Sequence, residues 1–197
     1  MLVLSSKLRL DFPVLSVHLG RKIADTASAI VDPEQLRVIA FRLKGDIEKD
    51  PEAGDILMIE DVREVSKQGL IIDSVDRLVE AEEVVKLKKI LALNFDLLGL
   101  KVVTRKGKDI GKVIDYTVDT GSFMVFQLVV KKPFWASFEE GELTINRSQI
   151  VEIDDYKITI KNDKEEVKVG KSAEANFKPD FINPFRKPKL AGSEKEG

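Results

Sequence analysis

The feature that most restricts what this chain folds into is that it says nearly the same thing twice. Around Asp32 it reads AIVDPEQLRVIAFRL, and around Asp119 it reads YTVDTGSFMVFQLVV. In each case a β-rich run ends at Val-Asp, turns, and is followed by a second alternating run. Residues 57–73 (LMIEDVREVSKQGLIID) align without a gap on residues 145–161 (INRSQIVEIDDYKITIK). Val62, Glu64 and Val65 then sit over Ile150, Glu152 and Ile153, while Leu70 and Ile72 sit over Ile158 and Ile160. The front edges match as LGRKI at 19–23 and LGLKV at 98–102, with the first copy shorter from there to its Val-Asp. A match of this length with a single gap reads as a duplication of one small unit.

Inside each copy the period is two. Val125, Gln127 and Val129 alternate with Met124, Phe126 and Leu128, and β-branched or aromatic residues dominate. Corners fall at Lys106-Gly107, Asp119-Thr120-Gly121 and Asp32-Pro33, which supply the positive or fixed φ that tight turns require. Short strands at this spacing predict a small antiparallel barrel or curled sheet. Such a unit buries only about 60% of its unfolded surface and is marginal alone, which two copies packed together, or packing on a partner, would relieve. Between the copies, Val84, Leu87 and Leu91 share a face at helical spacing, with Glu80, Glu82 and Glu83 before Lys86, Lys88 and Lys89. This charge order suits the helix dipole and predicts an amphipathic helix from about Val79 to Leu93. The expected fold is mainly β: two small antiparallel barrels joined by this helix. The boundaries are 1–78 for the first, diverged unit, 79–95 for the linker helix, 96–163 for the second unit and 164–197 for a charged, proline-marked tail expected to be mobile.

The glycines at 107 and 111 raise the question of a phosphate loop. A P-loop needs four residues between its glycines and then Lys-Ser or Lys-Thr opening a helix. Here three residues separate Gly107 from Gly111, and Lys112 precedes Val113 at the head of a strand run. Gly107 therefore belongs in a hairpin turn and Gly111 at a bulge or barrel corner. Other chemistries find little to work with. His18 is the single histidine, there is no Gly-x-Ser-x-Gly elbow, and there are no cysteines. One histidine cannot make a zinc site, no alternating Asp/Asn loop offers a calcium site, and the acid pairs Glu139-Glu140 and Asp154-Asp155 sit in loop-like surroundings. The chain is expected to be no enzyme and to carry no cofactor or metal. Thirty-two Lys+Arg against 34 Asp+Glu gives no overall reason to expect direct nucleic-acid binding. No apolar run reaches the roughly 20 residues of a membrane span, so a cytoplasmic location is expected.

Two segments look like contact surfaces. KKPFWASF at 131–138 sets Phe134, the sole tryptophan Trp135 and Phe138 beside Lys131 and Lys132, a composition typical of interface anchors. The competing reading has these rings capping the open end of the second barrel or packing on the interdomain helix. In the tail, Phe177, Phe181 and Phe185 recur every four residues, but Pro179 and Pro184 oppose a regular helix. Phe181 and Phe185 are candidates either to dock on the chain's own barrels or to order on a partner.

Residues 96–119, DLLGLKVVTRKGKDIGKVIDYTVD, resemble the PRC-barrel family. Leu97, Gly99, Val102, Gly107, Gly111, Val113 and Asp115 fit its Leu-x-Gly-x-x-Val front, glycine hairpin and following Asp, and RSQIVEID at 147–154 resembles its closing strand. Asp119 ends the same run. The resemblance covers most of the second copy, whereas the first keeps the ends without the glycine hairpin. Similar domains occur in the cytoplasmic part of the photosynthetic reaction-centre H subunit and at the C-terminus of the ribosome maturation factor RimM. The resemblance implies a binding or adaptor module acting through a protein partner of unidentified kind. An alternative is a ribosome-maturation role with a ribosomal protein as partner, although Leu93 and Asn94 precede Phe95 where that factor carries paired tyrosines.

Overall fold

The computed structural model describes residues 1–45, 47, 54–133, 141–154 and 156–161. From the N-terminus, β1 (Leu2–Leu4) runs straight into α1 (Ser5–Arg9). There follow β2 (Pro13–Ser16), β3 (Arg21–Asp32), β4 (Arg37–Lys44), β5 (Ile56–Met58), β6 (Val62–Val65) and β7 (Leu70–Ile72). Next come the short β8 (Leu78–Val79) and the helix α2 (Val85–Ala92). The second half contains β9 (Lys101–Thr104), β10 (Asp109–Asp119), β11 (Val125–Lys131), β12 (Glu142–Asn146), β13 (Ile150–Ile153) and β14 (Lys157–Ile160). The architecture is mainly β, with sheet curled into a half-barrel.

Two seven-stranded sheets result, and their strand orders correspond. The first runs β6-β7-β2-β3-β4-β5-β8 and the second β13-β14-β9-β10-β11-β12. Each contains one parallel pair, β2 with β7 and β9 with β14, placed so that the last strands return beside the first. Val14 pairs with Leu70 in one sheet and Val102 with Ile158 in the other, all four fully buried. The strict alternation read for β11 does not hold along its length: Val125 and Leu128, expected on opposite faces, are both buried. A bulge, where the register steps from Thr117–Gln127 to Val118–Val125, shifts the phase, so Val125, Leu128 and Val130 point inward and Phe126 and Lys131 outward.

Several expectations need correction. The strand order sets 98–102 against 10–14, not against 19–23. The positive φ that opens β9 falls on Gly99 (82°), and the one that opens β2 falls on Asp11 (54°), so the shared Leu-Gly dipeptide was a false guide. The first half does keep a corner glycine: Gly20 (φ 62°) stands between β2 and β3 as Gly107 (φ 77°) stands between β9 and β10. The helix is shorter than predicted, because Leu78 and Val79 pair with Leu57 and Ile56 and Val84 is still extended. Residues 80–83 form a turn instead, with the Glu80 N–H donating to the Glu83 carboxylate at 3.0 Å. Finally, β1 joins the far sheet: Leu2 faces Asp119 and Leu4 faces Thr117 on β10. The tail beyond Lys161 and residues 134–140 lie outside the described residues.

One core is drawn from both sheets, with Phe41, Leu57, Leu70 and Ile72 from one and Tyr116, Leu128 and Ile158 from the other. A second, smaller cluster lies under α2, where Leu87 covers Ile30, Ile39, Ala40 and Ile56. Where the sheets meet, the contact is reciprocal. The Val38 N–H donates to the Phe123 carbonyl and the Val125 N–H to the Leu36 carbonyl, each at 2.9 Å. Leu36 and Phe123 hold φ of 47° and 56°, the left-handed conformation that had been expected of Gly121. Turning these two residues aims each carbonyl at the opposite sheet and buries each side chain. Phe123 also meets Phe41 edge to face at 6.4 Å, worth about 1 kcal/mol beyond the area it buries.

Candidate functional site

The sequence motifs resolve mainly into structural parts. Both Val-Asp aspartates close turns. Asp32 accepts the Glu34 and Gln35 amides at 2.9 and 3.3 Å, and Asp119 accepts the Ser122 amide and hydroxyl at 3.1 and 2.8 Å. The Ser122 hydroxyl, together with the N-terminal amine at 3.1 Å, holds the Asp119 carboxyl below the usual carboxylate range. Asp115 clasps α1 by accepting the Ser5 hydroxyl and the Ser6 amide, the latter at 3.2 Å. The adjoining Tyr116 phenol is buried, and desolvation pushes its pKa up to about 12 against an opposing hydrogen bond with Ser5.

Gly107 turns the β9–β10 corner, donating its N–H to the Thr104 carbonyl at 2.8 Å. Gly111 stands at the bulge between β9 and β10, with φ 145°. A Cβ there would lie 2.0 Å from the Lys131 carbonyl oxygen, so this crossing demands glycine. Val113 points into the core beside it.

His18 is exposed in the β2–β3 turn, where its N–H donates to the Asp73 carbonyl at 2.9 Å. Among the described residues no group of three His, Cys, Asp or Glu side chains is placed to hold a metal ion. The two best-formed hollows are shallow and open: one beside Leu15, Val17 and Ile71, the other beside Pro33, Arg147 and Val151. The Arg147 guanidinium at the edge of the second is occupied, donating to the carbonyls of Gln35 (2.7 Å), Leu36 (3.0 Å) and Val125 (3.4 Å). No helix among the described residues is long and apolar enough to cross a membrane.

The feature that stands out is a line of lysines across the second sheet. The register places Lys131 of β11 opposite Lys112 of β10, Lys112 opposite Lys101 of β9, and Lys101 opposite Lys157 of β14. Directly paired residues project to the same side of a sheet, and all four lysines are exposed while their neighbours Val102, Val113, Val130 and Ile158 are buried. With strands roughly 4.8 Å apart, four positive charges stand in a row about 15 Å long. Like charges facing each other across strands destabilise a sheet. Neutralisation is partial: Lys101 meets Asp109 at 3.0 Å and Lys157 meets Asp154 at 3.7 Å, while Lys112 and Lys131 form no ion pair among the described residues. Glu142 of β12 stands across from Lys131 in the register.

The first sheet is built differently at the matching place. There Asp25 faces Lys44, and Lys22–Asp25 and Lys44–Asp11 pairs close at 2.6 Å. The row is therefore particular to the second sheet.

Of the contact residues expected from sequence, Lys131 ends the row on β11, and Lys132 follows it half-buried, its N–H donating to the Gly141 carbonyl at 3.3 Å. Phe134, Trp135, Phe138, Phe181 and Phe185 lie outside the described residues. Sequence reasoning missed Lys101, Lys112 and Lys157, because only the cross-strand register brings them together.

Residues 93–167 match the family model of the PRC-barrel domain, so β9 to β14 carry that domain. No curated protein matches the chain.

Proposed function

We propose that this protein is a non-catalytic adaptor whose second sheet docks an acidic, extended segment of a partner protein along the row Lys131–Lys112–Lys101–Lys157. The observation that carries the reading is the row itself: four like charges in register weaken the sheet that bears them, and Lys112 and Lys131 form no ion pair among the described residues. A strand-like peptide with glutamates at alternate positions, about 6.8 Å apart, would set about three carboxylates along a row of about 15 Å. Lys132, next in the chain after Lys131, adjoins one end of the row and extends the contact. The corresponding strand orders support reading the chain as two PRC-barrel-like units in tandem, the first serving as a scaffold that shares its core with the docking unit. A cytoplasmic setting agrees with a cysteine-free sequence.

The test is binding of a fluorescent ten-residue Glu-Thr repeat peptide, followed by anisotropy. Lys112→Glu/Lys131→Glu is expected to weaken binding at least about tenfold, and raising ionic strength from low to physiological to weaken it similarly. Equal binding by the variant, or selective binding of single-stranded RNA of matched charge, would reject the proposal. A second reading compatible with a PRC-barrel domain is ribosome maturation through a ribosomal protein. Co-sedimentation with small ribosomal subunits that survives the double charge reversal would favour it over an acidic docking segment.

A further inference from the structure

The chain after β7 and the chain after β14 leave equivalent places in their sheets. After β7, residues 73–77 carry the chain to β8, which pairs on the outer edge of β5, and α2 then lies across the outward face of β3, β4 and β5. The side chain at the centre of that covered face is Ile39, the extra residue of a bulge where the β3–β4 register steps from Ile30–Ala40 to Val31–Val38. Under α2 it is only 3% exposed.

The second sheet repeats the bulge where its register steps from Thr117–Gln127 to Val118–Val125, and the extra residue is Phe126. Among the described residues nothing covers it, and it stands 49% exposed. The same outward face holds Leu2 and Leu4 of β1, 48% and 36% exposed, opposite Asp119 and Thr117. Beyond β12, no strand among the described residues takes the place that β8 takes beside β5.

We propose that residues 162–167 of this chain take the course of 74–79, adding a strand at the outer edge of β12, and that Phe177, Phe181 and Phe185 beyond it lie over Phe126. Counting on from Ile160 as the first half counts on from Ile72 brings 166–167 to Ile145 and Thr144, and the PRC-barrel match runs to 167. The reach is sufficient. Even at random-coil dimensions, a chain with the number of residues from Lys161 to Phe177 would reach roughly 20 Å, whereas β14 and β11 are three strand spacings, about 14 Å, apart. Tethering at that distance gives an effective concentration on the order of millimolar, so a weak apolar contact holds. Phe126 lies at the opposite end of β11 from Lys131, so the covered face and the lysine row are separate, and this inference does not rest on the proposed function.

Because the chain has no cysteine, paired cysteines report the contact directly. Phe126→Cys is combined in turn with Phe177→Cys, Phe181→Cys and Phe185→Cys in the full chain, and oxidised at micromolar protein. The control pairs the same tail positions with Tyr156→Cys, at an exposed turn close to where the tail begins. At least one Phe126 pair is expected to close within a single chain about tenfold faster than its Tyr156 control. Equal rates overturn the proposal, and so do cross-links between chains, which would mean that a second copy covers the face. Amide exchange gives an independent reading on unsubstituted protein. Ending the chain at Lys161 is expected to speed exchange in 142–146 and around Phe126 about tenfold, and unchanged exchange would refute the tail as their cover.

Discussion

Replacing Gly111 with alanine tests how the second sheet closes. The backbone there sits at φ 145°, and the added Cβ would lie 2.0 Å from the Lys131 oxygen, 2.8 Å from its carbonyl carbon and 3.0 Å from Val130 Cγ1. Carbon needs about 3.5 Å from such neighbours, so β10 and β11 would have to part locally by on the order of 1 Å. The conformation costs an L-residue about 1–3 kcal/mol. Loosening the pairs Lys112–Lys131 and Val113–Val130 adds about 1 kcal/mol for each ladder hydrogen bond lost. With one bond lost from each pair, the sum is about 3–5 kcal/mol. Gly107→Ala is the matched control: its φ of 77° is also left-handed, but the space around it is open, so it should cost only about 1–2 kcal/mol. Urea unfolding followed by circular dichroism reads both. At a slope of about 2 kcal/mol per molar, Gly111→Ala lowers the midpoint by roughly 1.5–2.5 M and Gly107→Ala by less than about 1 M. Equal losses in the two variants would refute the assignment of the cost to the strand crossing.

Two further outcomes follow from the interior. Tyr116 titrates near 12 in the fold and near 10 in the unfolded chain, so its contribution is complete below pH 10 and is lost as pH rises from 10 towards 12, a decline of about 2–3 kcal/mol; Tyr116→Phe should flatten that part of an alkaline stability profile. Arg147→Ala, which removes the donor to three carbonyls at the seam between the sheets, should cost about 2 kcal/mol in thermal or urea unfolding, and Arg147→Lys should recover little because one ammonium cannot span them.

Much of this architecture can be read from local pattern. The hairpins β3–β4 and β10–β11 follow from period-two alternation, and the aspartates that close their turns follow from the Val-Asp repeat. Other elements escaped because the decisive partner lies far along the chain. Leu78 and Val79 have an apolar spacing that extends the helix on paper, yet pairing with Leu57 and Ile56 takes them into a sheet. Gly99 and Asp11 do the same backbone work with different side chains, so matching letters misplaced the front of the first unit. Positive φ at Leu36 and Phe123 is invisible in propensity, since neither residue favours it and only the reciprocal carbonyl contacts explain it. The lysine row is the extreme case: its members sit on four strands and become neighbours only once the register is known.

The pairing of β1 with β10 also bears on how the protein is made. Met1 and Asp119 bond across a separation of 118 positions. At roughly 5–20 residues per second, the ribosome releases Leu2–Leu4 on the order of ten seconds before Thr117–Asp119 exist to receive them. Throughout that interval the nascent chain carries an apolar strand with no mate. Substitutions in β1 should therefore hurt the yield of newly synthesised protein more than the resilience of molecules already assembled.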